Sequence, residues 1–180
     1  MSSAPLKTTG TEKKVMIDRR LLLSGVAAAL GAATLSAKAE TMKPDKTSIP
    51  DFDKWRLSDK EWKARLEGEA YAVLRKEATE RPWTSPLNNE KRQGVYACAG
   101  CGYDLFKSEM KFDSGTGWPS FFNALPNALG KKTDFKLIVP RTEYHCARCG
   151  GHQGHVFNDG PSPTGLRYCN NGVALVFKAA

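Results

Sequence analysis

Cys98-Ala99-Gly100-Cys101-Gly102 is matched, after a gap of 44 residues, by Cys146-Ala147-Arg148-Cys149-Gly150-Gly151. Two short Cys-x-x-Cys hooks with small residues in their turns have the spacing that wraps a tetrahedral Zn²⁺ in four thiolates. Such a site contributes on the order of 10 kcal/mol of folding free energy. One structural Zn²⁺ on Cys98, Cys101, Cys146 and Cys149 is therefore expected to clamp two hairpin turns. The alternative is two disulfides, which an exported protein could form. Cys-x-x-Cys disulfides are usually redox centres, and two of them, each followed by glycine, would be an unusual combination. The fifth cysteine, Cys169, has no partner left and is a candidate nucleophile, with small apolar filler as its structural alternative.

Around the hooks the chain reads as mainly β, in an α+β arrangement. From Gly94 onward, short β-branched and aromatic runs alternate with Gly, Pro, Asn and Asp: Val95-Tyr96, Leu105-Phe106, Phe135-Leu137-Val139, Tyr144, Val156-Phe157, Leu166-Tyr168 and Val173-Leu175-Phe177. This spacing predicts small antiparallel sheets. Before them, Ser58-Asp-Lys-Glu61 is a capping box, and Trp62, Leu66, Ala70, Val73 and Leu74 fall near helical spacing. Gly68 is expected to split that run into two short helices. Residues 40–57, with Pro44 and Pro50, read as a linker or extended arm, and 58–180 as one catalytic domain.

Residues 1–39 read as a cleavable export signal. Arg19-Arg20 precede seventeen uncharged residues, Leu21 to Ala37, and Ala37-Lys38-Ala39 has the form of a cleavage site. The paired arginines resemble a twin-arginine signal, with Asp18, Leu22 and Ser24 departing from its usual pattern. A periplasmic location is expected, with a membrane anchor formed by an uncleaved leader as the alternative. A four-thiolate site assembles most safely in a reducing cytosol, which suits a route that carries folded cargo. Of the 27 Lys and Arg and 19 Asp and Glu in the 180 residues, the leader holds six and two, leaving 21 against 17, or +4. That mild surplus, with no basic run beyond Lys131-Lys132, does not call for nucleic acid.

Three further segments are costly to explain as structure: Ser114-Gly-Thr-Gly-Trp118-Pro-Ser-Phe121, Gly151-His-Gln-Gly-His155-Val-Phe157-Asn-Asp-Gly160 and Arg167-Tyr-Cys169-Asn-Asn171-Gly. Together with the hooks, in this order, they resemble the methionine sulfoxide reductase B family over about residues 55–178.

From the residues themselves, Arg167 and Cys169 lie two apart, on one face of a strand, where a guanidinium favours the thiolate. The resemblance makes Cys169 the nucleophile that attacks the sulfoxide sulfur. It implies that His152, His155 and Asn171 bind and polarise the oxygen, a histidine supplying the proton. The structural alternatives for the histidines are zinc ligation or a satisfied core position, and His145 is assigned structure only. The resemblance also has Trp118 receive the methyl group, with Phe157 helping to complete that wall, which would select the R epimer; ordinary core is the alternative for Trp118.

Many family members carry a resolving cysteine where this chain has Thr116. The cycle is therefore expected to run through a Cys169 sulfenic acid reduced directly by an external thiol, either a thioredoxin-like protein or a small thiol. The expected substrate is oxidised methionine in exported proteins or peptides. The chain is read as a monomer, with no stable membrane partner beyond the export machinery. Two competing readings remain. A zinc-ribbon binding module would call for clustered Lys and Arg with exposed aromatics, and a peroxidase acting at Cys169 would show no stereospecific reduction of methionine sulfoxide.

Overall fold

A computed structural model describes residues 43–180; the export signal read in residues 1–39 lies outside the described residues. The capping box forms as the sequence predicts. The Ser58 hydroxyl accepts from the Glu61 N–H while the Glu61 carboxylate accepts from the Ser58 N–H, and α1 runs from Asp59 to Arg65. Gly68 takes a positive φ of 48° and opens α2, Gly68–Lys76, which buries Val73 and Leu74. Part of the segment read as a linker is docked rather than free. Residues 46–48 and 52–55 form single 3₁₀ turns, Ile49 is buried, and Trp55 stacks on Trp62 at 6.2 Å between ring centroids. Its apolar side chains give the segment a face to bury, which proline and charge counts alone did not reveal.

The body is two antiparallel sheets. In the first, β1 (Gly94–Cys98) lies between β2 (Asp104–Lys107) and β9 (Leu175–Ala179). The second has six strands: β3 (Lys111–Phe112), β4 (Ser120–Phe121), β5 (Leu129–Asp134), β6 (Arg141–Cys146), β7 (His152–Phe157) and β8 (Arg167–Asn170). Their order is β3-β4-β8-β7-β6-β5.

Aromatic side chains from both sheets meet in the core. Phe106 stacks on Phe121 at 4.1 Å, Tyr96 meets Phe121 edge-on at 5.0 Å, and Tyr144 meets Tyr168 edge-on at 5.3 Å. Edge and offset contacts of this kind add to the area that the rings bury.

The ladder fixes what lies beside what. Lys132, Glu143, His155, Cys169 and Ser120 are successive partners across β5, β6, β7, β8 and β4. Two residues further along, Asp134 pairs with Arg141 and Phe157 with Arg167. Because side chains two apart share a face, these rows lie on one face of the sheet. One strand expectation fails. Phe135-Leu137-Val139 is an exposed turn between β5 and β6, and the strand is instead the more polar Leu129–Asp134. β5 is an edge strand with partly exposed lysines, so apolar alternation gave no signal for it.

Candidate active site

The two Cys-x-x-Cys hooks are turns that bring four sulfurs together. Gly102 N–H bonds back to the Cys98 carbonyl and Gly150 N–H to the Cys146 carbonyl. Cys98 Sγ lies 3.7 Å from Cys149 Sγ, Cys101 Sγ lies 3.6 Å from Cys146 Sγ, and all four sulfurs fall within 4.8 Å of one another. A tetrahedron with zinc–sulfur bonds of about 2.3 Å has sulfurs about 3.8 Å apart, so the cluster is arranged to bind one such ion. Gly151 N–H and the Gln153 amide point at Cys149 and Cys98 sulfurs, each at 3.4 Å, as thiolate ligands accept. A divalent ion bound there would hold the four ligands as thiolates.

The second hook is also the turn between β6 and β7, so the metal site pins the hairpin that carries the histidines. Gly154 is required there: a Cβ on it would lie 1.9 Å from the Cys169 carbonyl oxygen. Without that close approach β7 and β8 could not set His155 opposite Cys169.

Those two residues open into a cavity of about 160 Å³ whose walls include Trp118, Phe157, Asn171, Arg141 and Thr79. His155 Nε2 is bonded to Asp134 Oδ2 at 2.7 Å, and Arg141 holds the same oxygen at 2.8 Å. Burial pushes His155 below its ordinary value, against the pull of the Asp134 hydrogen bond, so the ring is neutral near pH 7. His152 is not on the cavity wall. It is buried, bonded through Nδ1 to Glu143 at 2.7 Å, and meets the His155 ring edge-on at 5.6 Å.

Trp118 and Asn171 are held by one residue that the sequence reading missed. The Trp118 indole N–H donates to the Glu80 carbonyl at 2.9 Å, and the Glu80 N–H donates to Asn171 Oδ1 at 2.9 Å. The buried Glu80 carboxylate accepts from the Gly172 N–H at 2.6 Å. Gly117 makes the adjoining crossing possible, since with φ at 91° a Cβ there would run into Pro82 and Trp83.

Cys169 is half-buried. Arg167 favours the thiolate as expected, but burial is the largest influence on Cys169 and pushes the thiol up overall, outweighing Arg167 and Thr116. Arg167 is itself committed, with a two-pronged pair to Asp159 at 2.8 Å and its guanidinium 4.4 Å from the Phe157 ring centroid.

Residues 66–179 match the SelR domain. A peptide methionine sulfoxide reductase MsrB of Leifsonia xyli subsp. xyli is 54% identical over 123 residues, 67% of this chain and 88% of that protein.

The chain belongs to the methionine sulfoxide reductase B family.

Other similar proteins come from distant sources. The MsrB of Methanosarcina barkeri is 52% identical over 122 residues, 67% of this chain and 86% of its own. The chloroplastic peptide methionine sulfoxide reductase B1 of Arabidopsis thaliana is 43% identical over 152 residues, 83% of this chain and 75% of its own.

Within this methionine sulfoxide reductase B chain, the structure brings Cys169, His155, Asn171, Trp118 and Phe157 to one cavity, with Arg167 and His152 behind its wall. Asp134, Glu143, Asp159, Arg141 and Glu80 were not found from the sequence. They act through partners on other strands or, for Glu80, 91 residues away, where no local spacing marks them.

Proposed function

We infer that this chain reduces methionine (R)-sulfoxide to methionine with a thiol as reductant. The observation that carries the reading is the pairing of His155 with Cys169 across β7 and β8, in a cavity faced by the Trp118 indole.

Cys169 Sγ attacks the sulfoxide sulfur. The thiol is neutral at rest, and so is His155, so the proton that leaves Cys169 is the one the sulfoxide oxygen needs. His155 passes it on, because Nε2 is engaged with Asp134 and Nδ1 has no protein partner among the described residues. The oxygen moves to Cys169 as a sulfenic acid, methionine leaves, and no proton is drawn from solvent. Asn171 lines the cavity with its amide held by the Glu80 N–H and the Gln153 carbonyl, and His152, bonded to Glu143, meets the His155 ring edge-on from behind the wall. Trp118 and Phe157 give the methyl group an apolar wall, which selects the R epimer. Zinc at the four cysteines clamps the hairpins and takes no part in these steps.

Among the described residues no cysteine is left to resolve Cys169, since Thr116 occupies the loop beside it and the other four cysteines form the metal cluster. An external thiol condenses with the sulfenic acid, releasing water and leaving a mixed disulfide; a second thiol frees Cys169. A thioredoxin-like protein or a small thiol fills this role. The leader supports export by a twin-arginine-like route to the periplasm, with oxidised methionine of exported proteins or peptides as substrate and a monomer as the working form. An uncleaved, membrane-anchored leader is the second reading. No helix among the described residues is long and apolar enough to cross a membrane.

Turnover of the separated R and S epimers of a methionine sulfoxide peptide, with dithiothreitol as reductant, tests the reading against a Cys169→Ser variant. R-selective turnover that the variant loses supports it. Zinc-loaded, folded protein that turns over neither epimer sinks it.

A further inference from the structure

Beyond Asp134 and Arg141 the β5–β6 hairpin carries four apolar side chains into solvent: Phe135 at 74% exposure, Leu137 at 56%, Ile138 at 102% and Val139 at 70%. Among the described residues no packing requirement explains them. Contiguous exposed apolar surface on a soluble domain marks an interaction site. Its position is not arbitrary, because the residue pair at its base belongs to the catalytic cavity. Asp134 binds His155, Arg141 lines the cavity wall, and Asp134 Oδ1 also accepts from the Lys136 N–H, which shapes the start of the turn. The tip therefore begins one step past the row that holds Asp134, Arg141, Phe157 and Arg167.

We propose that Phe135, Leu137, Ile138 and Val139 form a shelf that binds apolar residues flanking an oxidised methionine in an extended, unfolded polypeptide. The proposal rests on the reductase reading. A chain whose sulfoxide side chain fills the cavity leaves it on both sides at about 3.4 Å per residue. The tip begins beside the Asp134–Arg141 pair, and Arg141 lines the cavity, so residues a few positions from the sulfoxide pass close to it. Methionines in folded proteins sit among apolar neighbours, which become available together with the methionine only when the segment is unfolded.

Two other occupants fit less well. An anionic lipid surface calls for cations around the apolar tip, but those nearby are engaged. Lys132 and Lys136 bind the two oxygens of Glu77 at 2.5 and 2.6 Å, Arg141 binds Asp134, and Lys131 donates to the Tyr168 hydroxyl. A second copy of the chain would need roughly 800 Å² per partner for a standard interface, more than four side chains on one turn supply.

The test compares three R-sulfoxide substrates: N-acetylmethionine sulfoxide amide, a peptide with Leu, Ile and Val around the sulfoxide, and one with Ser, Gly and Asn in the same positions. Each is assayed with the unaltered protein and with the triple variant Leu137→Ser/Ile138→Ser/Val139→Ser, whose positions are exposed and whose folding is checked by its melting curve. The expected result is a preference for the apolar peptide of roughly tenfold in kcat/KM, abolished in the variant while the amide is turned over unchanged. Equal use of both peptides by the unaltered protein, or an equal loss on all three substrates in the variant, overturns the proposal. So does tip-dependent sedimentation with phosphatidylglycerol-containing vesicles, or a tip-dependent dimer, when no peptide preference is seen. Failure of the unaltered protein on the amide itself removes the reductase reading, and the shelf with it.

Discussion

His155 is bonded at Nε2 to Asp134 Oδ2 at 2.7 Å, which fixes the ring opposite Cys169 and leaves Nδ1 as the nitrogen able to exchange a proton in the cavity. The carboxylate does this at little cost to itself. A backbone bond from Lys136, the His155 bond and the adjacent Arg141 hold Asp134 well below the usual carboxylate range, so it is charged at neutral pH.

Asp134→Asn is expected to lower kcat by about 10²-fold while leaving zinc content unchanged. The hydrogen bond from His155 to Asp134 raises His155 against the downward effects of burial, Arg141 and His152. Removing it lowers His155 further, so the acid limb of the kcat/KM profile should move to lower pH as the plateau falls. A plateau loss with the acid limb fixed would show that Asp134 does not act through His155.

Arg167→Met should raise the Cys169 thiol further, because the guanidinium is the leading influence opposing burial. The rate of iodoacetamide alkylation at Cys169, followed against pH, should have its midpoint above the ordinary thiol value in the unaltered protein and higher still in the variant. A midpoint below that value in either protein would contradict the account. Asp159, left unpaired, is exposed and carries little penalty.

Cys146→Ser is expected to lose bound zinc and the cooperative melting transition together. The metal site is worth on the order of 10 kcal/mol, comparable to the whole stability of a typical domain. Zinc content by atomic absorption, read beside the melting curve, checks both; a variant that melts cooperatively without zinc would assign the cluster a lesser role.

Thr116→Cys should convert the cycle. Thr116 lies near enough to Cys169 to lower its thiol, so a sulfur at that position would stand beside the sulfenic acid. One turnover without reductant should yield an intramolecular disulfide in the variant, seen as a mass loss of about two hydrogens, and none in the unaltered protein. A disulfide in the unaltered protein would overturn the direct external-thiol route.

Much of this was written in short-range pattern. The Cys-x-x-Cys spacing, the Ser58–Glu61 capping box and the Arg167–Cys169 separation each express a contact between residues near in sequence, and each appears as expected. The partners Asp134, Glu143 and Glu80 were not legible, because register between strands, or a loop returning from 91 residues away, brings them to the site. The Phe135–Val139 stretch misled for a physical reason. Its composition is that of a strand, but no strand covers it, and the hairpin turns within it instead. The net direction of the Cys169 thiol also depended on burial, which no spacing encodes.

The two hooks have a consequence for how the protein meets an oxidant. Of the five cysteine sulfurs, the four in the cluster are buried and Cys169 alone is partly open. A peroxide that has damaged methionine elsewhere therefore reaches the renewable sulfur before it reaches the ones whose loss would unravel the fold. Damage is sorted by accessibility, and the protein remains assembled under the conditions that create its substrate.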